Sequence, residues 1–249
     1  MDRLITFGDS WMKGIGSAYE KGMTEEQYFE ISHKNDDCFR NIVSKRLGLS
    51  NVDLSEGASS NQKQFRRSLK TFFGQDRIVP GNNDLVLWGI TSVFRTELWS
   101  NKNQKYEDIF LPHGPDSPNS AISKILTLNH HDEIQELEVL GHNILLWNAY
   151  FKSIGIKNYW FNVFNDHTWD YKIDNFLFEG SSLLSCLIDD HLPNDHYHMS
   201  NWNDVDRKIK KAKEMDLVGP YTGHPTRVGH LKLSEMLIEQ LTKKERAVN

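Results

Sequence analysis

Gly8-Asp9-Ser10 follows directly on the apolar run Leu4-Ile5-Thr6-Phe7. A short apolar run that stops at a glycine predicts a strand giving way to a turn. The Ser10 hydroxyl then stands at the carboxyl edge of a sheet, where open α/β folds hold their ligands. Ser10 is therefore a candidate nucleophile, and at neutral pH a serine needs a base to take its proton. The far end of the chain offers one in Gly223-His224-Pro225-Thr226. His224 is the candidate base, with His230 as its competitor. Attack on a carbonyl also creates an oxyanion that preorganised donors must meet. The backbone N–H groups of Ser10 and Gly57 are candidates, because glycine admits a close backbone approach. A third donor is expected from the loop after Asp84–Ile90 or from Asn61.

The elements that must position these groups follow from the patterning. Residues 3–7 read as the first strand and Gly14 to Met23 as a loop or lid. A helix capped by Asp36 or Asp37 carries Phe39, Ile42, Val43 and Leu47 on one face, and Gly48 ends it. Asn51–Leu54 is a short second strand. A helix then places Phe65, Leu69, Phe72 and Phe73 on one face and Lys63, Arg66, Arg67 and Lys70 on the other, read as a solvated back. Asp84–Ile90 is nearly all apolar, as suits a strand buried on both faces of a parallel sheet. The segment from Ser100 to about Asn129 is polar, holds three prolines and reads as a surface excursion. A long helix is expected from His131 to Phe151, with Ile134, Leu137, Gly141, Ile144, Leu145, Asn148 and Phe151 in its pattern. A fourth strand follows at Tyr159–Phe164. Residues 165 to 219 mix the apolar piece Leu183–Ile188 with turns and a charged helix around Asp204 to Glu214. The last helix, about Thr226 to Leu241, aligns Leu233, Leu237 and Leu241. Strands alternating with helices of this size predict a parallel sheet covered on both faces.

Composition narrows the classes of function. The 249 residues suit one α/β domain, 1–249, with surface insertions near 100–130 and 165–219 and no linker-like seam. Lysine and arginine number 29 against 34 acidic residues, mixed along the chain, so nucleic acid is not an expected partner. No apolar run reaches the roughly 18 residues of a membrane span, and the first residues enter a strand instead of a signal peptide, so a cytoplasmic location is expected. The 2 cysteines, Cys38 and Cys186, are far apart and read as buried free thiols. His191, His196 and His198 with Asp189, Asp190 and Asp195 have the composition of a metal cluster but lack a helical i, i+4 pair with a general base. They read as a polar loop, and no metal or cofactor is expected.

Gly8-Asp9-Ser10 after the first strand, Gly57 after the second, Gly89 at the end of the third and His224-Pro225 opening the last helix together resemble the SGNH, or GDSL-type, hydrolases. The resemblance runs from residue 4 to about 240. It implies a three-layer α/β/α flavodoxin-like fold with a central parallel sheet, and metal-free ester hydrolysis through an acyl-enzyme. Ser10 would be nucleophile and first oxyanion donor, Gly57 the second donor and His224 the base. Two positions depart from the pattern. Gly-x-Asn-Asp is here Gly89-Ile90-Thr91-Ser92, so Thr91 stands in place of the amide donor. The acid three residues before the histidine is here Tyr221, which leaves Asp216, Tyr221 or a backbone carbonyl to orient His224. Arg95 and Glu97 lie where a substrate could be read, or form a local ion pair. The expected substrate is an O-acyl ester, with an O-acetyl carbohydrate as one candidate. A lipase, thioesterase or acyltransferase using the same pair and a non-catalytic carbohydrate-binding or structural module of the same fold stand as rivals. The oligomeric state is left open.

Overall fold

The computed structural model describes residues 2–31, 34–110, 132–190 and 202–248. Four parallel strands form the central sheet: β1 (Arg3–Phe7), β2 (Ser50–Asp53), β3 (Leu85–Ile90) and, later in the chain, β6 (Lys157–Asn162). Their order is β2-β1-β3-β6, the arrangement of a flavodoxin-like sheet. Single parallel bridges, Trp160 to Phe176 and Asn162 to Ser182, cover the outer edge of β6.

Alternation along these strands sends side chains to two cores, which makes three layers. On one face Leu4, Leu85, Leu87, Tyr159 and Phe161 pack with Phe39 and Val43 of α3 (Phe39–Leu47) and with Leu233, Leu237 and Leu241 of α8 (Arg227–Val248). On the other, Ile5, Phe7, Val86, Trp88, Ile90 and Trp160 meet Phe72 of α4 (Asn61–Phe73) and Leu137, Leu140, Ile144, Trp147 and Phe151 of α5 (Glu133–Ser153). Trp88 is stacked between Phe7 and Trp160, with ring centroids 4.3 and 4.5 Å away. The remaining helices are α1 (Ser10–Lys13), α2 (Glu25–Ile31), α6 (Leu183–Leu187) and α7 (Trp202–Glu214). Among the described residues no helix is long and apolar enough to cross a membrane.

Several local expectations are corrected. Neither Asp36 nor Asp37 caps α3; Cys38 occupies that position with no side-chain bond. The basic face of α4 is exposed at Arg66 and Lys70, as expected of a solvated back, but three of its four residues are ion-paired. Lys63 bridges Glu56 and Asp108, Arg66 pairs with Glu97, and Arg67 with Glu56. Part of what reads as surface excursion is an antiparallel hairpin, β4 (Arg95–Ser100) with β5 (Lys105–Phe110), and it supplies two of those acids. β4 is exposed or half-exposed along its whole length and β5 buries Ile109 alone among its described side chains, so no sustained alternation announced the hairpin. Leu69 and Phe73 of the predicted apolar stripe are each 55% exposed, whereas Leu140 and Trp147, outside the predicted α5 pattern, are buried. Cys38 and Cys186 are buried free thiols. Of the polar loop, His191, Asp195, His196 and His198 lie outside the described residues. Asp190 pairs with Arg207, and Asp189 lies 3.9 Å from Lys232.

Candidate active site

The turn after β1 is built by close packing. A Cβ on Gly8, whose φ is +155°, would lie 2.1 Å from Met12 Cγ, and one on Gly89 would lie 2.5 Å from the same atom. Met12 therefore wedges between the ends of β1 and β3, and two motif glycines are there to admit it. Arg40 of α3 clamps the other end of α1: its Nε donates to Met12 O (2.8 Å) and its Nη2 to Lys13 O (3.0 Å), while Nη2 also pairs with Asp53 of β2 at 3.0 Å. Ser10 thus opens a helix of one turn whose position is defined from both ends. Only 6% of its surface is exposed.

Asp9 caps that turn and gathers donors from three directions. Its Oδ1 accepts from Trp11 N at 2.9 Å; its Oδ2 accepts from Thr91 Oγ1 at 2.9 Å and pairs with Arg95 Nη1 at 3.2 Å. Burial holds this carboxyl above its ordinary pKa, against the opposing pull of Arg95, Thr91 and the Trp11 and Met12 amides. Thr91 is tied again through its backbone: its N–H donates to Asn61 Oδ1 (3.0 Å) and its carbonyl accepts from Asn61 Nδ2 (2.9 Å). The loops after β1, β2 and β3 are therefore one hydrogen-bonded assembly. Leu54 N to Thr6 O and Glu56 N to Gly8 O, both 2.9 Å, bring Gly57 up beside the Ser10 turn. Among the described residues neither the Ser10 N–H nor the Gly57 N–H is donated to a protein acceptor.

The His224 loop is seated against this assembly. Trp11 Nε1 donates to Gly223 O at 3.2 Å, and Gly16, with φ +95°, lies so close that a Cβ would be 2.4 Å from Pro225 O and 2.9 Å from His224 Cβ. Ser10 Oγ and the His224 ring are not hydrogen-bonded to each other, a bond that commonly tightens only on substrate binding. The ring is partly exposed, but its Nδ1 is sealed from solvent and meets no partner among the described residues. Burial first, and then the positive charge of Arg95, push its pKa down to about 4. His230 is differently placed. Its Nδ1 accepts from Phe39 N at 3.3 Å, so the neutral ring carries its proton on Nε2, 3.4 Å from Ile15 O. Fully buried, with both nitrogens engaged and a pKa pushed down to about 3, it holds α8 to the loop after α1.

Two residues weighed as partners for His224 are engaged elsewhere. Asp216 makes an exposed ion pair with Lys21, and Tyr221 OH donates to Met23 O at 2.8 Å. Thr91 does not offer its hydroxyl proton to the site, since Asp9 receives it. Of the two charged residues after β3, Arg95 reaches Asp9 and Glu97 reaches Arg66. Sequence reading missed the central place of Asp9 and the Arg95–Asp9 pair. The one signal for it was a charged residue just past the end of a fully buried strand. Among the described residues no group of three or more histidine, cysteine, aspartate or glutamate side chains is arranged to hold a metal ion.

No family model and no curated protein matches this sequence. Solved structures of esterases and of G-D-S-L family lipolytic proteins are similar to it. One is a carbohydrate esterase, 12% identical with a TM-score of 0.45, where 96% of this chain aligns with 68% of the other. Another is the acetyl xylan esterase Est2A from the rumen bacterium Butyrivibrio proteoclasticus, 13% identical with a TM-score of 0.49, covering 97% of this chain and 63% of that one. A G-D-S-L family lipolytic protein from Desulfitobacterium hafniense is 10% identical with a TM-score of 0.41, over 94% and 97% of the two chains. This chain spans a little under two thirds of the length of Est2A. Identities this low leave every residue role to the geometry of this chain.

Proposed function

We propose that this chain is a serine ester hydrolase of the SGNH type that cleaves an O-acyl ester through an acyl-enzyme. One observation carries the reading: Ser10 opens a rigidly held turn at the carboxyl edge of the sheet, beside Gly57 and the His224 loop. The backbone N–H groups of Ser10 and Gly57 have no protein acceptor among the described residues. Ser10 Oγ bonds to the ester carbon while its proton passes to His224, and the carbonyl electron pair moves onto oxygen. Collapse expels the alcohol, which takes the proton from His224. Water then repeats the sequence on the acyl-enzyme. A partly buried, neutral imidazole is in the protonation state that a base requires.

The test has two arms. A fluorophosphonate probe is expected to add its mass to the wild-type chain and not to Ser10→Ala. A panel of p-nitrophenyl esters of rising acyl length, run beside O-acetylated sugars, separates an acetylesterase from a lipase or thioesterase; the O-acetyl carbohydrate is the class to try first. No labelling and no hydrolysis of any ester would overturn the reading. A second reading, a non-catalytic module of the same fold, draws on one observation: neither Asp216 nor Tyr221 faces His224.

A further inference from the structure

We propose that Arg95 is a catalytic residue of this site, its guanidinium being the side-chain donor to the oxyanion that forms when Ser10 attacks an ester. The inference rests on the esterase reading and adds to it a group that reading does not contain. The two side chains otherwise suited to donate are committed elsewhere. Thr91 Oγ1 donates to Asp9 at 2.9 Å. Asn61 grips the Thr91 backbone through both ends of its amide, at 2.9 and 3.0 Å.

Arg95 reaches the nucleophile's own turn from the exit of β3. Its Nη1 lies 3.2 Å from Asp9 Oδ2, and Asp9 both precedes Ser10 and caps the helix that Ser10 begins. The guanidinium is held and not left to wander: its Cζ sits 5.1 Å from the centroid of the Phe164 ring, and Trp11 packs edge-on against that same ring at 5.1 Å. The side chain is 17% exposed, so it is neither solvent-borne nor sealed away. Its charge also reaches the other side of the site, where it disfavours the imidazolium of His224.

A guanidinium presents five N–H donors in a planar fork, so one such group can serve a carboxylate and an oxyanion together. A fixed positive charge in a partly desolvated site stabilises a developing oxyanion more strongly than a neutral amide does. The anion is met by the Ser10 and Gly57 N–H groups and by Arg95, which keeps its proton throughout.

The experiment compares wild type, Arg95→Ala and Arg95→Gln on p-nitrophenyl acetate, with and without free guanidinium at concentrations too low to unfold the protein. Arg95→Ala is expected to lose roughly a hundred- to thousand-fold in kcat with little change in KM. Added guanidinium is expected to restore part of that loss and leave wild type unmoved, a rescue that a merely structural role would not give. A folded Arg95→Ala protein with wild-type kcat, or one that guanidinium does not rescue, overturns the proposal. Arg95→Gln keeps a donor for Asp9 and removes the charge, so it decides the matter if Arg95→Ala does not fold; a kcat equal to wild type there also overturns it. A wild-type protein inert on every ester fails the esterase reading first, an outcome distinct from an active enzyme indifferent to Arg95.

Discussion

His224 is the residue whose surroundings differ most from those of a standard catalytic triad. A carboxylate beside Nδ1 would raise the basicity of the ring and steady the imidazolium. Here Nδ1 is buried without a partner among the described residues, and the charged group that acts on the ring is Arg95, with the neutral His230 nearby. Both burial and Arg95 favour the neutral ring, so the acid limb of kcat/KM is expected to fall near pH 4 and not at the ordinary histidine value. A pH–rate profile from 3.5 to 8 checks this, and an inflection at 6 to 7 contradicts it. The orienting residue is likewise open to measurement. Asp216 is engaged with Lys21, and Tyr221 with Met23 O. Asp216→Asn and Tyr221→Phe are therefore each expected to stay within a few-fold of wild-type kcat, as a Ser–His dyad requires. A loss of several orders of magnitude in Asp216→Asn would mean that the loop swings inward during turnover.

At the scale of elements, the site is the meeting of three strand ends, and what joins them is polar and buried. Asn61→Ala leaves both the N–H and the C=O of Thr91 without their partner in the core. An orphaned buried group costs about 1–3 kcal/mol, so a lowered denaturation midpoint is expected together with a slower enzyme, because Thr91 also supports Asp9. The Met12 wedge makes a sharper test. Gly89→Ala would place a methyl carbon 2.5 Å from Met12 Cγ and 3.0 Å from Val163 Cγ2. Overpacking of this kind costs about 1–3 kcal/mol. Combined with Met12→Ala, most of that penalty should vanish, and a double-mutant cycle in urea measures it. Additive effects would show that Met12 is not what excludes a side chain at position 89.

For the molecule as a whole, the two low histidine pKa values make acid the weak side of its stability. The unfolded chain takes up protons near the ordinary value of 6.5, whereas the folded chain resists until about 4 at His224 and about 3 at His230. Below 6.5 the unfolded state therefore binds more protons, and stability falls as pH falls through that window. Each histidine adds at most about 1.4 kcal/mol per pH unit to the slope. Asp9, held high by burial, works in the opposite sense and favours the fold at the acid end. Urea midpoints taken from pH 7.5 down to 4 should drop, and His230→Phe should flatten the curve. A midpoint that holds steady across the range would mean that the two rings are not kept neutral by the fold.

The strands of the sheet were legible in sequence because β1 and β3 are buried on both faces and their apolar runs have no other use. The Gly-Asp-Ser turn and the His-Pro before α8 were legible because tight packing restricts those positions to few residue types. What stayed hidden depends on partners far away along the chain. The β4–β5 hairpin mixes polar and apolar residues and is largely exposed, and it became identifiable through the acids it presents to α4. His224 and His230 are the same residue type, one just before the start of α8 and one in its first turn, and only tertiary packing made one a sealed strut and left the other partly open. Asp216 is the nearest carboxylate to His224 on its N-terminal side, yet Lys21, nearly 200 positions away, holds it. Sequence by itself determined which residue types stand at the strand ends, since local patterning dictates where strands stop. Which of their side chains face one another was decided only when three loops closed together, because ion pairs and buried hydrogen bonds depend on distance in space and not on distance along the chain.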